Sequence, residues 1–176
     1  MKDLIKKYWD WSLATLPVKQ DKSPAVKTWK DCEEDLSAYD NAFGIGIICG
    51  TPSNGLECLD FDNHFADAKE TLSRFIDEIK PLYDKHKFPI QMSQNGGYHL
   101  IYRCSEVEGN KKLAQRPKWD EKRNRFVPDA IIETRGEGGY FCATPTPGYT
   151  LLRNSFEKIP LIFPDERKFI IEVAKS

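Results

Sequence analysis

Two aspartates sit one residue apart in Leu59-Asp60-Phe61-Asp62, directly after an apolar run. Side chains alternate along a strand, so Asp60 and Asp62 share one face with Cα atoms roughly 7 Å apart. Two carboxylates so placed repel each other when nothing lies between them. A divalent cation removes the repulsion, and two cations ~3.5–4 Å apart can share such a pair. Carboxylate oxygens are hard ligands that suit magnesium or manganese. The bland alternative is a strand end running into a solvated acidic turn.

Two further groups carry similar chemistry. In Gly96-Gly97-Tyr98-His99-Leu100 the glycines open the backbone to a ligand, and His99 stands at the start of a strand, sharing a face with Ile101. A histidine there can meet a phosphate or a metal-linked group; a structural histidine is the alternative. In Ile131-Ile132-Glu133-Thr134-Arg135-Gly136-Glu137-Gly138-Gly139-Tyr140, Glu133 ends an apolar strand as Asp60 does, and Arg135 lies on its face. The glycines beyond can turn backbone N–H groups toward phosphate oxygens, or form a plain hairpin turn. His64 and His86 lie in polar surroundings and read as surface residues. The five cysteines, Cys32, Cys49, Cys58, Cys104 and Cys142, are scattered without a CxxC pair. They read as buried free thiols rather than a zinc site.

The elements that must position these residues follow from periodicity. Asp3 to Leu16 reads as a helix through Leu4, Ile5, Tyr8, Trp9 and Leu13, capped by Asp3 and stopped by Pro17. Residues 17–29 read as a loop carrying Lys19, Lys22, Pro24 and Lys27. Phe43–Cys49 and Leu56–Phe61 read as strands joined by the turn at 50–55. Residues 66–85 form the clearest helix, striped by Leu72, Phe75, Ile76, Ile79, Leu82 and Tyr83. Pro89–Met92 and Tyr98–Arg103 read as a hairpin around Gln94-Asn95-Gly96-Gly97. Residues 105–128, polar and without period, read as an inserted loop. Ala130–Thr134, Tyr140–Ala143 and Tyr149–Leu152 read as strands, and Asp165–Ala174 as a closing helix. Strands and helices mix without strict alternation, which predicts an α+β fold with a largely antiparallel sheet.

The chain has 176 residues, enough for a single domain spanning 1–176. Its net charge of -1 is not that of a strongly basic nucleic-acid binder, so any positive charge toward DNA must be local or supplied by metal ions. No apolar run is long enough to span a bilayer, and the charged N-terminus lacks a signal peptide's apolar core. The expected location is the cytoplasm.

An acid pair, a Gly-Gly-x-His strand and a third acid before Arg-Gly-x-Gly-Gly, in that order, resemble the bifunctional primase–polymerase family of the archaeo-eukaryotic primase superfamily. The resemblance covers nearly the whole chain. Leu16-Pro17 with Lys22-Ser-Pro24 and Trp29 looks like the family's opening, Phe43 to Gly50 like its glycine-rich strand, and Ala143-Thr-Pro-Thr-Pro147 like its small-residue segment. The resemblance implies an RRM-like antiparallel palm beside a smaller N-terminal α/β module. It implies that Asp60, Asp62 and Glu133 are catalytic, metal-binding acids for two magnesium or manganese ions. His99, Arg135, Gly96 and Gly97 would bind the incoming nucleotide. The implied activity is template-directed primer synthesis and extension from nucleoside triphosphates on single-stranded DNA, in replication of a phage or mobile element. A replicative helicase is an implied partner. The family's frequent C-terminal helicase has no counterpart in these residues, which implies a fragment or a stand-alone form. Glu133 stands where the family more often has Asp, and Thr134 where an apolar residue is usual. Two readings from other classes remain open at this point: a nucleotide or nucleic-acid binding module without catalysis, and a metal-dependent nuclease.

Overall fold

The apolar runs become the strands of two sheets that pack against each other. In the computed structural model, which describes residues 1–29 and 34–176, the order is α1 (Lys2–Asp10), β1 (Thr15–Val18), β2 (Gly44–Ile48), β3 (Leu56–Phe61), α2 (Ala68–Glu78), α3 (Lys80–Lys85), β4 (Ile90–Met92), β5 (Tyr98–Cys104), β6 (Lys112–Asp120), β7 (Arg125–Arg135), β8 (Tyr140–Ala143), β9 (Thr150–Arg153), β10 (Leu161–Ile162) and α4 (Pro164–Lys175). The larger sheet runs β6-β7-β3-β5-β4-β9, with β10 added parallel to the end of β5; every other pairing is antiparallel. The smaller sheet runs β1-β2-β8. The expected α+β class with antiparallel sheets is what forms.

The period of two along β3 and β5 assigns one core to each face. Leu59, Phe61, Leu100 and Tyr102 point to the side covered by α2 and α4, through Leu72, Phe75, Ile170 and Ala174. Cys58 and Ile101 point to the other side, where they meet Ile45 and Ile47 of β2, Phe141 and Ala143 of β8, and Ile5 and Tyr8 of α1. Asp60 and His99 belong to this second face, so they lie where the two sheets meet. Across the buried Glu57, Arg167 of α4 makes a two-pronged ion pair at 2.8 and 2.9 Å, and the Tyr102 hydroxyl donates to the same carboxylate. This polar clamp ties α4 to the helix-covered face.

Four expectations need correction. The first helix stops at Asp10, not Leu16: Ser12 takes a positive φ of 60°, and Thr15–Val18 pairs with β2. Leu13 and Leu16 are spaced like a helical stripe but are buried from a turn and a strand. Pro17 is tolerated because β1 is an edge strand. Asp3 lies in the helix's first turn rather than at its cap. The helix expected over 66–85 divides at Ile79, since Pro81 has no N–H for the carbonyl four residues back and instead opens α3. Residues 105–128 hold no long loop: β6 and β7 form an extended hairpin. Of the two readings left open for Arg135 to Gly139, the plain hairpin turn is excluded, because β7 and β8 belong to different sheets and the segment crosses between them.

Cys49, Cys58, Cys104 and Cys142 are buried free thiols as expected, while Cys32 lies outside the described residues. No helix among the described residues is long and apolar enough to cross a membrane.

Candidate active site

A single row of polar side chains crosses the larger sheet on the face toward the smaller one. In the antiparallel register Gln91 stands opposite His99, His99 opposite Asp60, and Asp60 opposite Glu133. Directly opposed residues lie on the same face within a few ångströms, so the pairing itself delivers these four groups to one line. Asp62 follows β3 by one residue, its N–H donating to the Ile131 carbonyl at 2.9 Å. Oxygens of Asp60, Asp62 and Glu133 all lie within 4.8 Å of one another. The three acids meet although Glu133 is more than seventy positions from the other two.

Arg135 joins them from the same strand as Glu133. Its Nη2 donates to Glu133 Oε1 at 2.8 Å and stands 3.6 Å from Asp60 Oδ2. His99 Nε2 stands 3.5 Å from Asp60 Oδ1. Burial works against the charged form of Asp60, but the neighbouring His99 and the Arg135 guanidinium outweigh it and hold its carboxyl below the usual range. For Asp62 the balance goes the other way: burial, then the charges of Asp60 and Glu133, outweigh His64 and Arg135 and push its carboxyl up to about 7. Burial also raises Glu133, with Arg135 opposing and Asp60 adding to the rise. Three carboxylates with one guanidinium among them leave the cluster acidic. This is the condition a divalent cation relieves, and the all-oxygen donor set fits magnesium or manganese.

Gln91 was not marked by the sequence, and it decides how His99 is presented. Fully buried, it donates from Nε2 to the Cys142 carbonyl at 2.8 Å, while its Oε1 accepts from the Thr144 N–H at 3.3 Å. Those two backbone groups fix which end of the amide is which. The same Nε2 lies 2.8 Å from His99 Nδ1, so Nδ1 is the acceptor and Nε2 carries the proton. Nε2–H then faces Asp60 and the cleft as a donor. The only hint in the sequence is a polar residue inside the short apolar strand Pro89–Met92.

Asp60, Asp62, His99 and Arg135 line one wall of a cleft of about 390 Å³, within the range of small-molecule sites, while Glu133 stands beside them without lining it. The opposite wall comes from β8 and the segment before it: Gly138, Gly139, Tyr140 and Phe141, with Tyr149, Lys22 and Trp29 beside them. Gly97 lines the cleft. A Cβ there would meet the Phe61 carbonyl oxygen at 2.5 Å, so only glycine lets the turn pass behind the acid strand. Gly96, expected to share this role, is absent from the lining; its φ of +82° serves the turn. His64, read from sequence as a surface residue, is exposed but lines the cleft and pairs with Asp129 at 3.0 Å. His86, also read as a surface residue, is half-buried against Glu166 because it packs edge-on to Phe88 where α3 ends.

The family model described as bifunctional DNA primase/polymerase, N-terminal, matches residues 5–162. No curated protein matches the chain closely enough to count as a relative.

Proposed function

The chain belongs to the bifunctional DNA primase/polymerase N-terminal domain family, and on that premise we propose that it is a metal-dependent nucleotidyltransferase that makes and extends primers on a single-stranded DNA template. The larger sheet is then the catalytic palm of the archaeo-eukaryotic primase kind. The smaller sheet with α1 is the accessory module that closes the nucleotide cleft. The observation that carries the reading is the meeting of Asp60, Asp62 and Glu133 within 4.8 Å on adjacent strands, with His99 and Arg135 in the same row.

In this reaction a 3′-hydroxyl oxygen bonds to the α-phosphorus of a nucleoside triphosphate, the bond to the β-phosphate oxygen breaks, and pyrophosphate leaves. Asp60, Asp62 and Glu133 would hold magnesium or manganese, which lowers the pKa of the attacking hydroxyl and neutralises the triphosphate. The chain's own groups supply orientation. His99 offers Nε2–H to a phosphate oxygen, and Gln91 keeps that proton in place. Arg135 balances the acids and presents remaining N–H groups to phosphate. Gly138 and Gly139 bring backbone close to the cleft without side chains in the way. Tyr140 and Tyr149 give flat apolar surface for the sugar and base.

The deciding assay incubates the chain with single-stranded DNA, manganese and labelled nucleoside triphosphates, resolved on a gel. New or lengthened strands are expected, and they should vanish in Asp60→Ala. Shortened template would instead assign a nuclease. Tight nucleotide binding without any change in strand length would assign a binding module.

A further inference from the structure

Beyond Ile132, β7 leaves its partner β3, and residues 115–130 pair only across the β6–β7 hairpin. A two-stranded arm therefore projects past the edge of the larger sheet. Residues 115–130 hold five Lys and Arg against three Asp and Glu, a net +2 in a chain whose whole charge is -1. The arm concentrates the positive charge that the overall composition conceals. Among the described residues, the Lys122 and Arg125 side chains have no ion-pair partner, and Arg123 is held only loosely, 3.6 Å from Asp120.

The arm also spends apolar surface where a stable fold has no use for it. Trp119 and Phe126 stand opposite each other, 48% and 67% exposed, with ring centroids 5.1 Å apart at 75°. Pro117 and Pro128 pair on the same face and extend this apolar surface. The arm's base reaches the candidate site: Arg116 and Lys118 lie over the Phe65 ring, three residues beyond Asp62, and Asp129 bonds the cleft-lining His64.

We propose that this arm is a docking surface for single-stranded nucleic acid, guiding the template strand toward the cleft. The proposal rests on the reading of the chain as a primer-making enzyme. Exposed rings bound unstacked bases without sequence preference, and lysines and arginines follow the phosphates. The arm is one layer thick, so its aromatic face and its basic groups are both within reach of one flexible strand. A protein partner fits less well, because the core of a protein interface is depleted in charged residues, and here Lys118, Lys122, Arg123 and Arg125 stand close in sequence to the exposed rings.

The test measures binding of a fluorescent oligothymidylate to the full chain by anisotropy across a salt series, with strand synthesis on the gel as a separate readout. Two variants are compared with the parent: Lys122→Glu/Arg123→Glu/Arg125→Glu, confined to exposed positions, and Trp119→Ala/Phe126→Ala. The charge variant should lose affinity and flatten the salt slope by about two, at roughly 0.7 per lost phosphate contact. The aromatic variant should bind about five- to a hundredfold more weakly with the slope unchanged. Affinity for nucleoside triphosphate should not move in either. Parent-like oligothymidylate binding by both variants overturns the proposal, as does a parent that does not bind the strand. So does a concentration-dependent dimer in light scattering that the aromatic variant abolishes, which would make the arm a contact between copies. Synthesis decides the other question: arm-dependent binding without synthesis keeps the arm and removes the enzyme, whereas synthesis with arm-independent binding does the reverse.

Discussion

Among the residues of the cleft, Asp62 makes the most direct claim about conditions. Its carboxyl is pushed up to about 7 by burial and by its two acidic neighbours, so near neutral pH it is shared between the protonated and ionised forms. A cation must displace that proton. Manganese affinity, measured by calorimetry, should therefore fall toward tenfold per pH unit below about 7, with a proton released on binding. Asp62→Asn should bind weakly with little of this pH dependence; an unchanged pH slope in the variant would reassign the proton. Without metal the sign reverses. Between pH about 4 and 7 the native carboxyl holds a proton that the unfolded chain has released, so stability should decline as pH rises through this window, visible in urea midpoints. Gln91 makes a second claim. Imidazole nitrogen shifts in NMR should report His99 with its proton on Nε2, and Gln91→Glu should move the proton to Nδ1 while weakening triphosphate binding. A wild-type proton on Nδ1 would refute the assigned orientation of the amide. The acids were legible in sequence because each ends an apolar strand, whereas Gln91 was not: its significance is its register opposite His99, which only pairing reveals.

At the scale of elements, legibility followed periodicity and failed where periodicity was ambiguous. The strands β2, β3 and β5 were readable because one or both faces are apolar. The arm was not readable, since a ribbon wet on both faces has no alternation to detect. The thread from Leu13 to Leu16 satisfies a helical spacing while leading into β1, an ambiguity inherent in short apolar runs. The helix α4 is legible in the sequence, but its anchor is not. Its stripe predicts burial, but its anchor is Arg167 against the fully buried Glu57, with the Tyr102 hydroxyl completing the carboxylate's bonding. Arg167→Met strands that carboxylate in the interior and should cost about 3–5 kcal/mol in urea unfolding. Adding Glu57→Leu should recover much of the loss, because the penalty comes from the unpaired charge rather than from the missing attraction. A double variant no more stable than Arg167→Met would mean that the clamp acts by packing alone.

The molecule as a whole is two sheets whose facing surfaces are apolar over most of their meeting and acidic where they part. The sequence announced the acids and the antiparallel class, but not that β7 and β8 diverge after Arg135 to opposite walls of one cleft. Five residues containing three glycines look the same whether they close a hairpin or cross a gap, because the local conformations overlap and the difference lies in distant partners. That crossing has an energetic consequence. Folding gathers Asp60, Asp62 and Glu133 against their mutual repulsion, with Arg135 offsetting only part of it. The unfolded chain keeps these acids apart, so a cation that binds the gathered set favours the native state alone. Manganese at a hundred times its dissociation constant should then add about 2.7 kcal/mol and raise the melting temperature by about 5–10 °C, reversed by chelator. Asp60→Asn/Glu133→Gln should begin near the wild-type midpoint, since it relieves repulsion as it removes ligands, and should show almost no manganese shift. Calcium gives a further control, because its larger, more flexible shell tolerates a looser oxygen set. Equal shifts in wild type and double variant would place the cation elsewhere on the surface, and the three acids would then be a repelling cluster without a metal-binding role.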